Sequence, residues 1–333
     1  MSPRFKTNLL EHTKAVAAWA RRCGAQASID ALTLMLTLQR DQRRLLLRPQ
    51  FVGRRDGRNL VYFDQPDEHA VGFVGWLPYA PLAWDISLSK QVFKDAARAL
   101  GLRTPASWQD AAAVDAPCLV KRDRSSFGVG MAGPFSATQA QARGLDDGEY
   151  FEAFCVGRIA RAWYWSGRLA ALEVFDMPRV EGDGVRSVGR LLADHGVEDL
   201  DPHAALLGLQ GLALGDVLAP GLAAVGDYRY VSPLNPTLYA NHNLLRTSTP
   251  PPGLDRFVEA GQRLWPRIPA PGSGDAARAA GFVLDAIVDA DDEPWFLEIN
   301  SNAQGHPDLY APMLDDCLPA LASERPAPEP GSA

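Results

Sequence analysis

The sequence predicts an α+β protein with antiparallel strands, and three features predict it. Short strand-like stretches crowd residues 32–74, with Gly and Asp between them. Three further runs, Tyr150–Phe154, Ile159–Trp165 and Leu169–Phe175, follow one another closely. Near the C-terminus, Gly281–Asp289 and Asp291–Asn302 read as two apolar strands joined by an acidic turn. Helical periodicities separate these groups.

In chain order, Asn8–Arg22 spaces Leu9, Leu10, Val16, Ala17 and Ala20 at a helical rhythm. Leu32, Leu34, Leu36 and Leu38 alternate, which predicts a strand, and Leu45–Val52, Asn59–Phe63 and Ala70–Val74 predict three more. Residues 1–85 are expected to form a small N-terminal α+β lobe, and they hold no glycine fingerprint for a dinucleotide. Ser87–Leu100 reads as a helix capped by Ser87 or Ser89 and ended by Gly101 and Pro105. Strand Pro117–Lys121 leads into the polar loop Arg122–Gly130. The three runs over 150–175 are expected to be consecutive antiparallel members of one sheet. Gly182-Asp183-Gly184 is a turn, and Ser187–His195 a helix capped by Ser187, with His195 at its C-terminal end. The Gly- and Pro-punctuated stretch 197–250 contains one apolar helical segment and a strand at Tyr228–Val231. Helices at Leu254–Trp265 and near Asp275–Ala280 precede the final hairpin. The boundaries expected are therefore 1–85, 86–150, 151–319 and a disordered tail over 320–333.

The chain has 333 residues, 47% hydrophobic and 22% charged, as in a globular enzyme with a sizeable core. Its net charge of −7, without a long Lys/Arg tract, speaks against a nucleic-acid partner. Cys23, Cys118, Cys155 and Cys317 are far apart, which fits a reducing compartment and opposes a zinc or disulfide framework. No signal-peptide core opens the chain and no apolar run approaches the roughly 20 residues that span a bilayer. A soluble cytoplasmic protein with no membrane partner is expected; oligomeric state is not fixed, and a homodimer is compatible.

Chemistry concentrates in a few places. Glu298 and Asn300 differ by two and share one strand face, which Asp285 joins if the two strands pair. Two carboxylates and an amide are hard oxygen donors suited to Mg²⁺; the alternative is a hairpin with satisfied polar groups. Lys121 ends an apolar strand before a loop carrying Ser125, Ser126, Gly128 and Gly130, whose amides can cradle phosphate. The alternative is an ordinary hairpin with a snorkelling lysine. Lys90 lies one turn into a helix. Tyr150-Phe-Glu-Ala-Phe-Cys can act as a hinge whose backbone reads an adenine edge.

The ordered set resembles the ATP-grasp superfamily of carboxylate–amine ligases: a helix lysine, "apolar-apolar-Lys-x(6)-Gly-x-Gly", "Phe-Glu-x-Phe-x-x-Gly-x-x-x-Arg", "Gly-Asp-Gly-x-x-Ser", then "Leu-Asp" and "Leu-Glu-Ile-Asn-Ser". Val180–Val188 looks most like the branch of cyanophycin synthetases and fused bacterial glutathione synthetases. The resemblance covers about 85–310. It implies the ATP-grasp fold, two α+β lobes gripping ATP, behind a small N-terminal domain. It implies that Lys90 and Lys121 contact ATP phosphates and that Ser125–Gly130 closes over them. Glu152, Phe154 and Cys155 fall at the adenine hinge. Asp285, Glu298 and Asn300 match the metal triad, with two Mg²⁺ expected and Mn²⁺ admissible. Arg161 matches an arginine after the hinge, and Arg229 one near the acyl phosphate. The implied reaction joins a carboxylate and an amine, on an amino acid, small peptide or precursor peptide, through an acyl phosphate and ADP. Two departures stand out. Ile159 occupies the place of a ribose-binding carboxylate, and no copy of the family's Asn-x-x-x-Gly-Gly loop is present; Pro233–Thr237 and Asn241-His242-Asn243 stand there instead. A nucleotide-binding homologue without ligase activity, or phosphoryl transfer to a non-carboxylate, are the alternatives. His306 either faces substrate or is a satisfied histidine.

Overall fold

Helix α1 (Pro3–Cys23) buries His12, Val16, Trp19 and Ala20, one stripe at helical spacing. The computed structural model describes residues 3–55, 59–125, 130–230, 232–234, 241–269, 279–302 and 305–319. The chain divides into two units, Met1–Ala80 with Pro307–Ala333, and Pro81–His306. The expected tail at 320–333 lies outside the described residues.

In the first unit, strands β1 (Gln26–Ile29), β2 (Leu36–Arg40), β3 (Arg43–Arg55) and β4 (Asn59–Phe63) pair in that order, and β5 (Ala70–Leu77) pairs with β3. Phe51, Phe73 and Trp76 fill its core. The strand predicted from Leu32 begins only at Leu36. Asp30 accepts N–H bonds from Leu32 and Thr33 and the Thr33 hydroxyl, a turn that leaves Leu32 exposed and Leu34 at φ 55°. The sequence reading also missed β1, whose side chains are all exposed and therefore carry no alternation.

The second unit opens with α2 (Asp85–Leu88) and α3 (Lys90–Ala99). The single predicted helix is split at Ser89, whose extended backbone ends the first and whose Oγ accepts from Val92 N at 3.2 Å to cap the second. Strands β6 (Ser107–Trp108), β7 (Cys118–Arg122), β8 (Ala132–Phe135) and, after α4 (Ala137–Arg143), β9 (Glu149–Ala153) form one antiparallel sheet in the order β6-β9-β7-β8. Strands β10 (Arg158–Trp165) and β11 (Arg168–Asp176) belong to another.

The expectation of one sheet through 150–175 is thus corrected: β9 pairs with β7, and the chain crosses sheets between Ala153 and Arg158. Apolar periodicity does not specify a strand's partner. At the crossing, Gly157 runs so close to the next sheet that a Cβ there would lie 2.2 Å from the Val288 carbonyl oxygen.

A small excursion follows, with β12 (Arg179–Glu181), α5 (Val188–Asp194), α6 (Asp201–Gly208) and β13 (Ala223–Val225) around a core of Val180, Leu192 and Leu207. Ser187 caps α5 and His195 ends it. The strand predicted at Tyr228 is not formed over 228–230; the Asp227 carboxylate accepts from the Tyr228 and Arg229 N–H groups and bends the backbone instead. Val231 lies outside the described residues, as do 275–278 of the helix expected near Ala280.

Helix α7 (Leu254–Leu264) precedes β14 (Gly281–Val288) and β15 (Pro294–Asn300), which complete the sheet β11-β10-β14-β15. Helix α8 (Tyr310–Cys317) belongs to the first unit. Helix α7 buries Phe257, Ala260, Gly261 and Leu264 on one face of that sheet, where the Tyr164 hydroxyl donates to the Phe257 carbonyl at 2.8 Å. Tyr164 stacks on Phe282 and Phe257 packs edge-on to Phe296. The opposite face is left for polar chemistry.

Gly261 decides how closely α7 sits. A Cβ there would come within 2.5 Å of the Gly167 carbonyl oxygen and the Tyr164 ring. Alanine in a helix interior ordinarily gains up to about 1 kcal/mol over glycine, but this overpacking costs about 1–3 kcal/mol. Gly261→Ala is therefore expected to lower stability in urea unfolding; an increase would show that α7 shifts freely.

Candidate active site

Strand register assembles the site. Arg161 on β10 is paired with Glu173 on β11 and Asp285 on β14, and Asp285 with Glu298 on β15. Residues directly opposite on neighbouring strands share a face, so four charged side chains form a row across the sheet. Arg161 grips Asp285 with two bonds, Nε to Oδ1 at 2.6 Å and Nη2 to Oδ2 at 3.0 Å. Its guanidinium also lies 3.8 Å from the Tyr230 ring centre, a cation–π contact. Burial opposes the charge on Arg161, but Asp285 and its hydrogen bonds outweigh this and raise the pKa. Asn300 Nδ2 donates to Asp285 Oδ2 at 3.0 Å and to Glu298 Oε1 at 3.4 Å. Lys90 Nζ stands 3.3 Å from Glu298 Oε2 and donates to the Ser125 carbonyl at 2.5 Å.

Beside this row lies an apolar floor of Ile159, Ile287 and Met177, flanked by Cys155, Phe175, Tyr228 and Leu297. Ile159 and Ile287 are register partners, one step of the pleat from Arg161 and Asp285. Ile159 is thus part of a hydrophobic surface. Burial pushes the Cys155 thiol up to about 11, so it stays uncharged. Phe154 packs edge-on against Tyr228.

A second charged cluster sits in the other sheet. Lys121 and Glu152 are joined by an ion pair, and Lys94 Nζ of α3 reaches the other Glu152 oxygen at 2.7 Å. Lys94 and Glu152 are 0% and 1% exposed. Burial would raise the Glu152 pKa, but the two lysines hold it down at about 2. For Lys121, burial is outweighed by Glu152, with Glu298 adding to it, and the pKa rises. For Lys94 burial prevails and the pKa falls. Two cations on one anion leave the cluster net positive, with Lys121 acting on both Glu152 and Glu298.

The Asp123 carboxylate accepts from Ser89 Oγ at 2.8 Å and Gln91 N at 2.9 Å, tying the loop after β7 to the start of α3. That tie delivers Lys90, the first residue of α3, to Ser125. Gly130 follows at φ 74°. Ser126 and Gly128 lie outside the described residues. Arg229 is held by Asp227 through Nε and Nη2 at 2.9 Å each, and Nη2 is 3.3 Å from His203 Nε2. His306 is buried beside Trp163, its ring 5.1 Å away.

Sequence reasoning missed Lys94, Glu173 and Tyr230. Glu173 interrupts an apolar strand just as Asp285 does, and that signal was available. Lys94 carried none, since a lysine on a helix reads as a surface residue.

These partners decide how the residues would fit a divalent cation. Among the described residues no group of three or more His, Cys, Asp or Glu side chains is placed to hold a metal. Mg²⁺ commonly takes one or two carboxylates plus substrate phosphates and water, and Glu298 with Asn300 fits that need. Asp285, clamped by Arg161, can contribute only its remaining lone pairs.

No protein-family model and no curated protein matches this chain. Among solved structures it is similar to a bifunctional glutathione synthetase from Pasteurella multocida, with 14% identity, 92% of this chain and 43% of that one covered, and a TM-score of 0.41. It is similar to D-alanine–D-alanine ligase from Bacillus anthracis, at 12%, 65%, 56% and 0.33 in the same order. It is also similar to the ATP-grasp ligase PsnB complexed with minimal precursor, at 14%, 65%, 52% and 0.32. The chain spans about half the length of these proteins. No helix among the described residues is long and apolar enough to cross a membrane.

Glu152→Ala would strand two buried ammonium groups and is expected to cost about 3–5 kcal/mol in urea unfolding. Lys94→Met leaves a one-to-one pair with Lys121 and is expected to cost far less. Because the Glu152 pKa is depressed, its contribution is full above its ordinary value of 4.5 and fades as pH falls toward about 2. Equal losses in the two variants would overturn this assignment.

Proposed function

We propose that the chain is an ATP-grasp, ADP-forming carboxylate–amine ligase that makes an amide bond through an acyl phosphate. The observation that carries this is the approach of Lys90 to Glu298, with Lys121 paired to Glu152 and electrostatically coupled to the same Glu298, beside an apolar floor. A purine lies on Ile159, Ile287 and Met177, with Phe154 and Cys155 at its edge. The phosphates then run toward Lys90, Lys121 and Ser125.

In the first step a substrate carboxylate oxygen attacks the γ-phosphorus and the bond to the β-phosphate oxygen breaks, giving acyl phosphate and ADP. Lys90 and Lys121 lower the cost of charge moving onto the leaving phosphate. Mg²⁺, held by Glu298 and Asn300 with Asp285 alongside, would neutralise phosphate charge when bound. Arg161 fixes Asp285 and keeps the row in register. Arg229, its orientation set by Asp227, is assigned to the acyl-phosphate oxygens. An amine then attacks the carbonyl carbon and phosphate departs. The acid and amine are proposed to be amino acids or peptides.

The test supplies ATP, Mg²⁺, each of the twenty standard amino acids and hydroxylamine, and measures ADP, phosphate and hydroxamate. Hydroxamate with ADP is expected, and AMP would sink the acyl-phosphate route. A stable phosphorylated product with no amine incorporated would favour phosphoryl transfer, and a melting-temperature rise with MgATP but no turnover a non-catalytic binder. Lys121→Ala and Glu298→Ala are expected to weaken MgATP binding; unchanged binding in both variants would remove the nucleotide site.

A further inference from the structure

Arg161, Asp285 and Glu298 occupy the phosphate end of the proposed site, while Glu173, at the other end of the same row, is given no task by that chemistry. It lies two strands from Asp285, roughly 10 Å away by strand spacing. That is beyond direct contact with the metal donors, yet on their face of the sheet. Its Oε2 accepts a 3.0 Å hydrogen bond from the Tyr230 hydroxyl, and the Tyr230 ring covers Arg161. Tyr230 therefore ties Glu173 to the row. The groups facing Glu173 are Arg161 from β10, Tyr230 from the bend after Asp227, and the His242 backbone N–H. These favour the carboxylate, but burial prevails and pushes its pKa up to about 7. The result is a carboxyl group that exchanges a proton near neutral pH, at the end of the row away from Lys90 and Glu298.

We propose that Glu173 is the proton acceptor for the incoming amine and that Tyr230 positions it; this rests on the ligase reading above. An ammonium group has no lone pair for attack. One N–H proton passes to a Glu173 oxygen, and the freed nitrogen pair forms the C–N bond at the acyl-phosphate carbonyl carbon. The carbonyl carbon–oxygen bond to phosphate breaks, and the phosphate leaves with the second N–H proton as hydrogen phosphate. Glu173 returns its proton to solvent before the next cycle. The carboxylate form does the work, so amide formation falls as pH drops through the Glu173 pKa.

Hydroxylamine separates the steps, because it is largely uncharged at neutral pH and needs no base to attack. With the amino acid that gives hydroxamate, amide formation to a second amino acid is compared in wild type, Glu173→Gln, Glu173→Asp and Tyr230→Phe. In Glu173→Gln, amide formation is expected to fall about 10²–10⁴-fold while hydroxamate formation stays within about tenfold, with partial rescue in Glu173→Asp. Tyr230→Phe removes a bond that lowers the Glu173 pKa, so the acid limb of the amide pH–rate profile moves to higher pH. Equal loss of amide and hydroxamate in Glu173→Gln, or an unmoved limb in Tyr230→Phe, overturns the proposal while leaving the ligase reading intact. If Glu173→Gln fails to fold, the Tyr230→Phe limb alone decides. Wild-type protein that gives no hydroxamate with any amino acid overturns the ligase reading itself.

Discussion

Arg161 closes on both carboxylate oxygens of Asp285 from the neighbouring strand, and the site depends on that clamp. Strand side chains alternate between faces, so a slip of one residue would turn Arg161 toward α7 and its packing of Phe257, Ala260 and Leu264. A buried guanidinium there would have no carboxylate, a cost far above that of the native pairing. The pair thus fixes the register of β10 on β14, and with it the row from Glu173 to Glu298. A bulge between Asp285 and Ala286 shifts the pairing of β15, whose Glu298 and Asn300 both reach the Asp285 side of the sheet.

The neighbouring sheet meets a different electrostatic constraint. Glu152 is buried with two lysines, and neither cation would remain charged so far from water without it. The surplus positive charge is expressed at Lys121, which also acts on Glu298. Lys90 approaches Glu298 from α3, held there because Asp123 accepts from Ser89 and Gln91 at the start of that helix. Together the two sheets set a positive rim beside an acidic row, with an apolar surface next to both.

Much of this was legible in the residues. Apolar runs marked β10, β11, β14 and β15, because much of each is buried, and Ser187 and the pair Ser87 and Ser89 marked helix starts, because a hydroxyl satisfies an unpaired N–H. Asp285, Glu298 and Asn300 stood out as polar groups in apolar strands. Failures occurred where a side chain overrode the pattern: Asp30 broke an alternating run of leucines, and Asp227 bent a segment rich in tyrosine and valine. Glu152 looked like a hinge carboxylate, and nothing in its neighbours revealed that Lys94, far back in the chain, shares it.

The sequence by itself determined the α+β class, the main strands and helices, and the identity of the polar residues that must find partners. Those are local matters, set by periodicity, capping and the cost of burying charge. The tertiary structure alone decided that β9 leaves the sheet of β10, that Arg161 clamps Asp285, and that Glu173 and Tyr230 join the same row. Each of these is a pairing between segments distant in the chain, and a charge that must be paired does not specify its partner until strand register brings one within reach.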